Sequence, residues 1–355
     1  MWPLFLRELG AAPQDIGLVF GVGNVVAALC FIPGGYLADR IGRKPMLLAA
    51  WIVSTAGAAA FLPLQEWHGA FIGSALYWTG SISLPIMIAQ LAATTRRDAL
   101  GRAIGLVFGA YFLGNIVSSP FSGAIGAAIG LRATLGLAVV AFMASSALVF
   151  GLRAMPPIVD RERVRFPRTF WTLLGVTPVA SLLSIVSIAL LPVYLREIAA
   201  VPLERVGVYA ALVALGAAVL APAAGRLADG VGAVPALVAA ATVLTTGAGL
   251  IALSGRSEPL IVIAALLLGA TQAANPVLAA AVERIIPPAR IALGYATYQF
   301  AFALGFGGGG TVAGFLYEAD PLLPFLVTVA LALPVAAVIG VVIGRAAPRQ
   351  EFPIA

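Results

Sequence analysis

Apolar runs of about twenty residues follow one another down almost the whole chain, and they leave little choice of fold. A bilayer core about 30 Å thick is crossed by a helix of roughly 20 apolar residues. In hydrocarbon the backbone must satisfy itself, which only helices and closed barrels do. The runs read as helices over 15–37, 45–64, 69–93, 102–127, 132–152, 169–195, 204–225, 234–253, 258–282, 291–317 and 322–345, eleven full spans in all. Charged residues make up 10% of the chain, against about 25% in a soluble domain. Ordinary soluble domains, a disordered chain and a disulfide scaffold are therefore excluded. The expected class is an all-α polytopic membrane protein. The opening Met1-Trp2-Pro3 lacks the basic and apolar regions of a cleavable signal peptide.

The net charge of +6 invites a nucleic-acid reading until the basic residues are placed. With the 38–45 turn on the cytoplasmic side, alternate turns and the tail hold sixteen of the 21 Lys and Arg residues, among them Arg40, Arg43, Lys44, Arg96, Arg97, Arg102, Arg284 and Arg290. Arg7, Arg132, Arg196, Arg205 and Arg256 fall on the other side. This is the asymmetry that orients membrane proteins, and it accounts for the charge without nucleic acid.

The chain repeats itself. Pro3-Leu-Phe-Leu-Arg-Glu8 matches Pro192-Val-Tyr-Leu-Arg-Glu197; Gly17 matches Gly207, Leu37-Ala38-Asp39 matches Leu227-Ala228-Asp229, Gly42 matches Gly232, and Pro45 matches Pro235. Ala99-Leu100-Gly101 matches Ala292-Leu293-Gly294. Two halves of the same orientation are expected, at 1–152 and 169–346, joined by a polar cytoplasmic linker at 153–168 and followed by a tail at 347–355. In the second half the Pro192–Glu197 motif ends a long apolar helix. In the first half its copy starts two residues after Met1, so about 20 residues of a first helix are expected to be missing and 1–9 to be its outer stub. A true eleven-span protein is the alternative.

The turn Gly34-Gly-Tyr-Leu-Ala-Asp39-Arg-Ile-Gly42-Arg-Lys-Pro45 resembles the loop between helices two and three of the major facilitator superfamily, Gly-x-Leu-Ala-Asp-Arg-x-Gly-Arg-Lys. With the repeated halves and basic linker, the resemblance covers essentially the whole chain. It implies two six-helix halves that rock about a central site, and a cytoplasmic latch built from Gly35, Asp39, Arg40, Gly42, Arg43 and Lys44. A purely topogenic basic turn is the plainer alternative. Candidate partners of Asp39 are Arg40, Arg43, Arg96 and the N-terminal end of the helix near Arg290. The second copy keeps Gly225, Asp229 and Gly232 and loses the later basic residues, leaving Asp229 to pair locally, with Arg226 as a candidate. Two antiporter signatures fare worse: Leu76 stands where drug antiporters often carry an arginine, and Ser119-Pro-Phe-Ser-Gly-Ala124 only approximates the fifth-helix pattern.

All fifteen carboxylates fall in loops or within about a turn of a helix end, so no buried acid for proton coupling is visible. The polar groups at depth are neutral, and Asn24, Tyr77, Asn115, Gln272, Asn275, Tyr298 and Gln299 are the candidate substrate cavity. Helices ten and eleven, which carry the last four, border the cavity in the family. Aromatics and amides suit an amphipathic or weakly charged solute better than a phosphate. Gly305-x-Gly-x-x-Gly310 fits a dinucleotide fingerprint, but no strand precedes it, and close helix packing is the better account. His68 lacks a second ligand, Cys30 lacks a bridging partner, and no catalytic triad, phosphate loop or metal set appears. The expectation is a transporter, not an enzyme, with no cofactor and no metal. Its partners are a small-molecule substrate, the lipid bilayer and, still open, a coupling proton or ion; a monomer in a prokaryotic cell membrane is expected. Export of drug-like or amphipathic compounds leads; uptake of a neutral metabolite such as a sugar, and a truncated non-transporting protein, are the rivals.

Overall fold

Two glycines with positive φ punctuate the bundle at matching places. Gly42 (φ 100°) ends one long helix and Gly232 (φ 99°) ends its copy 190 residues on. Only a residue without Cβ takes this backbone cheaply, so each chain reversal is written into the sequence by one atom's absence.

The computed structural model describes residues 1–95, 97–152, 166–283, 285–286 and 291–346, and among them the regular structure is helical. The first half comprises α1 (Trp2–Glu8), α2 (Pro13–Ile41), α3 (Arg43–Ala60), α4 (Ala70–Thr79), α5 (Ser83–Thr94), α6 (Arg97–Ile129) and α7 (Leu131–Phe150). The second comprises α8 (Arg168–Val186), α9 (Leu191–Glu197), α10 (Leu203–Val231), α11 (Ala233–Ser254), α12 (Glu258–Leu268), α13 (Ala274–Glu283), α14 (Ile291–Ala319) and α15 (Leu323–Ala346). The repeat pairs α1 with α9, α2 with α10, α3 with α11, α4–α5 with α12–α13, α6 with α14 and α7 with α15. Among the described residues α8 has no counterpart. Most of the linker and all of the tail, 153–165 and 347–355, lie outside the described residues.

Among the described residues ten segments are long and apolar enough to cross a membrane, one fewer than the eleven expected. The difference is α3. It starts at Arg43 and Lys44 and ends at Ala60, before the Phe61–Pro63 turn, so its 18 residues include two cations and fall short of the run read over 45–64. Three expected spans are also broken. The 69–93 run divides at a 3₁₀ turn, Gly80–Ile82, and the 258–282 run at Gly269–Gln272. The 169–195 run divides into α8 and α9.

The halves meet along two flanks related by the repeat, α2 on α14 and α6 on α10. Glycine makes both possible. A Cβ at Gly17 would lie 2.7 Å from the Gly310 carbonyl oxygen and 2.9 Å from Gly314 Cα. A Cβ at Gly123 would lie 2.7 Å from the Glu204 carbonyl oxygen, with Gly207 facing it. In lipid, helix association relies on such close backbone approach, because burying apolar surface gains little there. The glycine-rich run of α14 is thus a packing device, as its membrane setting suggests. Gly307, Gly310 and Gly314 face α2, whereas Gly305 and Gly309 face α8.

Where the short helices α1 and α9 touch, Arg7 joins the halves. Its Nε donates to Glu197 Oε1 at 2.7 Å, another guanidinium nitrogen donates to Glu197 Oε2 at 3.2 Å, and Nη1 donates to the Ala11 carbonyl. Hydrogen bonding to Glu197 holds the Arg7 pKa above its ordinary value. Both side chains are about a third exposed, so solvent screening limits the pair to about 0.5–1 kcal/mol. A double-mutant cycle with Arg7→Gln and Glu197→Gln is expected to give a coupling energy in that range, falling as salt rises. A coupling indistinguishable from zero at low salt would mean that the bidentate geometry contributes nothing to holding the halves together.

Candidate functional site

Short breaks in matching helices focus attention on the centre of the bundle. Gly80–Ile82 and Gly269–Gln272 occupy corresponding positions in the two halves, each followed by a proline, Pro85 and Pro276. Glycine weakens the helix locally, and the proline lacks an N–H to continue the ladder. Interrupted membrane helices at corresponding positions of a repeat are where transporters form their binding sites.

Beside these breaks runs a connected series of aromatic rings. Tyr295, Tyr298, Phe302 and Phe306 succeed one another along α14, with centroid separations of 5.7, 6.2 and 5.5 Å. Phe306 then meets Phe20 of α2 at 5.4 Å and Trp78 of α4 at 6.2 Å, so the series crosses from one half to the other. Phe20 and Trp78 are themselves edge to face at 5.3 Å, and Trp2 stacks on Phe20 at 6.2 Å. Phe302, Phe306 and Trp78 remain partly exposed. Such rings bind the flat, apolar part of a solute by area and by their quadrupoles, and they attract cations to their faces.

Of the seven candidate cavity residues, two are brought together by a direct bond. The Tyr298 hydroxyl donates to Asn275 Oδ1 at 2.7 Å, linking α14 to α13 just past the second break. Tyr298 is fully buried and Asn275 half-buried. Gln272 lies in the 3₁₀ turn itself, half-buried, and Gln299 is buried on α14. Asn24 belongs elsewhere: its Nδ2 donates to the Phe20 carbonyl in its own helix, and its Cβ lies against Gly307 in the α2–α14 seam. Tyr77 stands at the margin of the ring series, edge to face with Trp78 at 5.5 Å and with Phe142 of α7 at 5.7 Å. Asn115 donates to the Tyr111 carbonyl one turn back on α6. Sequence reasoning passed over Phe20, Phe302 and Phe306, whose spacing along α14 and pairing across the halves only the fold displays.

The residues expected to form the latch make both local and inter-half contacts. Gly35 lets α2 approach Ala296 of α14, where a Cβ would meet the alanine methyl at 3.4 Å. Arg40 lies over the Tyr36 ring, 4.6 Å from its centroid. Arg43 is buried at the start of α3, and Lys44 Nζ donates to the Phe150 carbonyl at the C-terminal end of α7, at 2.7 Å. A cation there satisfies a carbonyl that the helix leaves open. The Asp39 side chain lies outside the described residues, as do two of its candidate partners, Arg96 and Arg290. Gly225 of the second copy faces open space, and Asp229 lies on α10, the helix that Gly232 ends.

The whole length of the chain matches one family, the Major Facilitator Superfamily, in two overlapping pieces, residues 1–191 and 172–355. The chain belongs to this superfamily. It is a multi-pass membrane protein, and the expected all-helical fold of two repeated halves is the fold of its relatives. Among curated relatives it is 31% identical over 150 residues to the inner membrane transport protein YajR of Escherichia coli (strain K12), covering 41% of this chain and 32% of the relative. It is 29% identical over 160 residues to the multi-drug resistance efflux pump PmrA of Streptococcus pneumoniae, covering 41% of this chain and 38% of the pump. These matches span about a third of the relatives' own length. A solved bacterial homologue of the human lysosomal transporter Spinster superposes with a TM-score of 0.75 at 16% identity, over 99% of this chain and 93% of that one. The human organic anion transporter MFSD10 gives a TM-score of 0.70 at 19% identity, over 91% and 83%. At those identities the likeness is one of fold.

Proposed function

We propose that this chain is a secondary transporter that exports a small amphipathic organic solute by alternating access, the solute binding between the broken helices α4–α5 and α12–α13 against the rings of Phe302, Phe306 and Trp78. The observation that carries the reading is the pair of 3₁₀ breaks at corresponding positions of the two halves, flanking a ring series that crosses between them. A solute held there touches both halves, so its binding free energy can differ between their two relative arrangements. That difference is what a transporter needs, since a ligand bound equally by both states shifts neither.

The solute class follows from the chemistry of the wall. Partly exposed aromatic rings and the neutral amides of Gln272 and Asn275 offer apolar area and a few hydrogen bonds, and none of these described groups is a fixed cation that would hold a phosphate. The resemblance to a multi-drug efflux pump supports the outward direction. With the Lys and Arg excess facing the cytoplasm, the Gly42 and Gly232 turns lie inside and the Arg7–Glu197 pair outside. A bacterial inner membrane, as for YajR, is the proposed location.

Efflux of the amphipathic cation ethidium from preloaded cells provides the test. Expression of the chain is expected to accelerate dye loss, and Phe306→Ala to reduce that gain about tenfold, roughly the 1.4 kcal/mol expected for one lost ring contact. Efflux that is the same with and without the chain, under confirmed membrane insertion, would overturn the proposal; uptake of a neutral sugar in its place would favour the metabolite reading.

A further inference from the structure

Behind the second helix break, away from the ring series, the second half holds a cavity of about 50 Å³. It is lined by α8, α11, α13, α15 and the 3₁₀ turn at Gly269–Gln272, and by none of the rings or amides proposed to hold the solute. α11 and α15 each turn a face spaced i, i+4, i+7 toward it, Leu237–Ala241–Leu244 and Ala332–Ala336–Ile339. The alanines leave the room, each a single methyl where a leucine or isoleucine stands one turn away. Protein interiors keep few voids larger than a water, and about 10–15 Å³ is enough for one.

The break brings one polar atom to this wall. Ala270, Thr271 and Ala274 line the cavity, whereas Asn275, one position on, bonds Tyr298 of α14. Thr271 is 3% exposed, and its hydroxyl has no hydrogen-bond partner among the described residues. In a regular helix a threonine hydroxyl can donate to the carbonyl four residues back, as Thr297 and Thr328 do at 2.7 and 2.8 Å. Thr271 lies in the 3₁₀ turn, where the tighter winding changes that geometry. Ser184, the other hydroxyl of the wall, donates to the Ser181 carbonyl at 2.7 Å. Among the described residues no charged side chain lines the cavity.

Two costs therefore fall on one spot, a lining that lacks dispersion partners and a buried hydroxyl without a bond. Water relieves them poorly: a buried water makes about three hydrogen bonds, and the wall offers two hydroxyls, one of which has already given its proton to Ser181. A compact aliphatic body with one hydroxyl fills the volume and can both accept from Thr271 and donate to it.

We infer that this cavity is a binding site for a short aliphatic alcohol, with its chain between α11 and α15 and its hydroxyl on Thr271 Oγ1. Ala180, Ala240 and Val335 of the lining are only half-buried, so the cavity is not sealed. All of its walls belong to the second half. An occupant travels with that half and acts on the α12–α13 break as a bound effector, not as a carried solute. The inference does not rest on the export reading, and its test reads binding and stability alone.

Trifluorobutanol is the probe, followed by fluorine NMR as it is titrated into the purified full chain at a fixed detergent concentration. A saturable change in its line is expected, beyond that seen with Ala336→Phe, whose ring occupies the cavity. Thr271→Val keeps the shape of the side chain and removes the hydroxyl. It is expected to weaken trifluorobutanol binding several-fold and to leave unchanged the weaker binding of trifluorobutane, which has no hydroxyl to bond. It is also expected to keep or raise the melting temperature of the protein without alcohol, because an unpartnered polar atom is gone. Equal line changes for the original chain and folded Ala336→Phe would mean partition into detergent only, and would overturn the inference. If Ala336→Phe does not fold, Thr271→Val decides. Equal affinity of both chains for trifluorobutanol, or an equal loss of alcohol and alkane binding in Thr271→Val, would also overturn it.

Discussion

Gly207→Leu is expected to reduce transport to below about a tenth and to lower the melting temperature by several degrees, while membrane insertion stays normal. A Cβ at Gly207 would run into the Ser119 carbonyl and lie 3.0 Å from Gly123 N. Both obstacles are backbone atoms of α6, so the strain cannot be relieved by turning a side chain. Overpacking of this kind costs about 1–3 kcal/mol or more, and here it falls on one of the two flanks that join the halves. Each 1.4 kcal/mol is a factor of ten in the balance between two arrangements of the halves. The control is Gly225→Leu. Gly225 lies on the same helix with nothing within 4 Å of a Cβ, and its replacement is expected to be nearly neutral in stability. Equal damage from the two substitutions would show that backbone contact at the α6–α10 flank is not the cause.

The second large effect is expected at Tyr298. Tyr298→Phe removes only a hydroxyl, yet it leaves Asn275 Oδ1 without the donor it has at 2.7 Å beside a fully buried ring. An orphaned polar atom costs about 1–3 kcal/mol, whereas replacing both partners by apolar groups can be nearly neutral. Tyr298→Phe is therefore expected to lower both melting temperature and transport. Adding Asn275→Leu is expected to restore the melting temperature. Transport separates the two roles of the amide. If Asn275 contacts the solute, the double variant stays impaired despite its recovered stability. Full recovery of transport would reduce the pair to a helix–helix bond.

Much of the fold is legible in the residues because its signals are local. Gly42 and Gly232 mark turns through a backbone that other residues avoid, and Gly17, Gly207 and the α14 glycines mark close helix contacts. The Pro3–Glu8 and Pro192–Glu197 copies reveal two halves of the same orientation. The helix breaks at 80–82 and 269–272 are less visible, because a 3₁₀ turn of three or four residues leaves the hydropathy of a span unchanged. Asn24 shows the limit of reasoning from depth. An amide in mid-span must be satisfied, but its partner is the carbonyl of Phe20 on its own helix, and it faces a seam rather than a cavity. Phe20, Phe302 and Phe306 show the converse. A phenylalanine in a membrane helix reads the same whether it meets lipid, core or solute, and only the pairing of α2, α4 and α14 puts these three in one series.

The central claim is that a solute occupies the space between the halves against the α14 rings. In proteoliposomes, Phe302→Cys in a Cys30→Ser background gives a single thiol in that wall. Its rate of reaction with a small maleimide would be measured with and without saturating ethidium, at a temperature where transport is slow. The account predicts that ethidium slows labelling at 302 several-fold and leaves unchanged the labelling of a Leu148→Cys control on the exposed face of α7. Unaltered labelling at 302 in protein that still transports ethidium would contradict it.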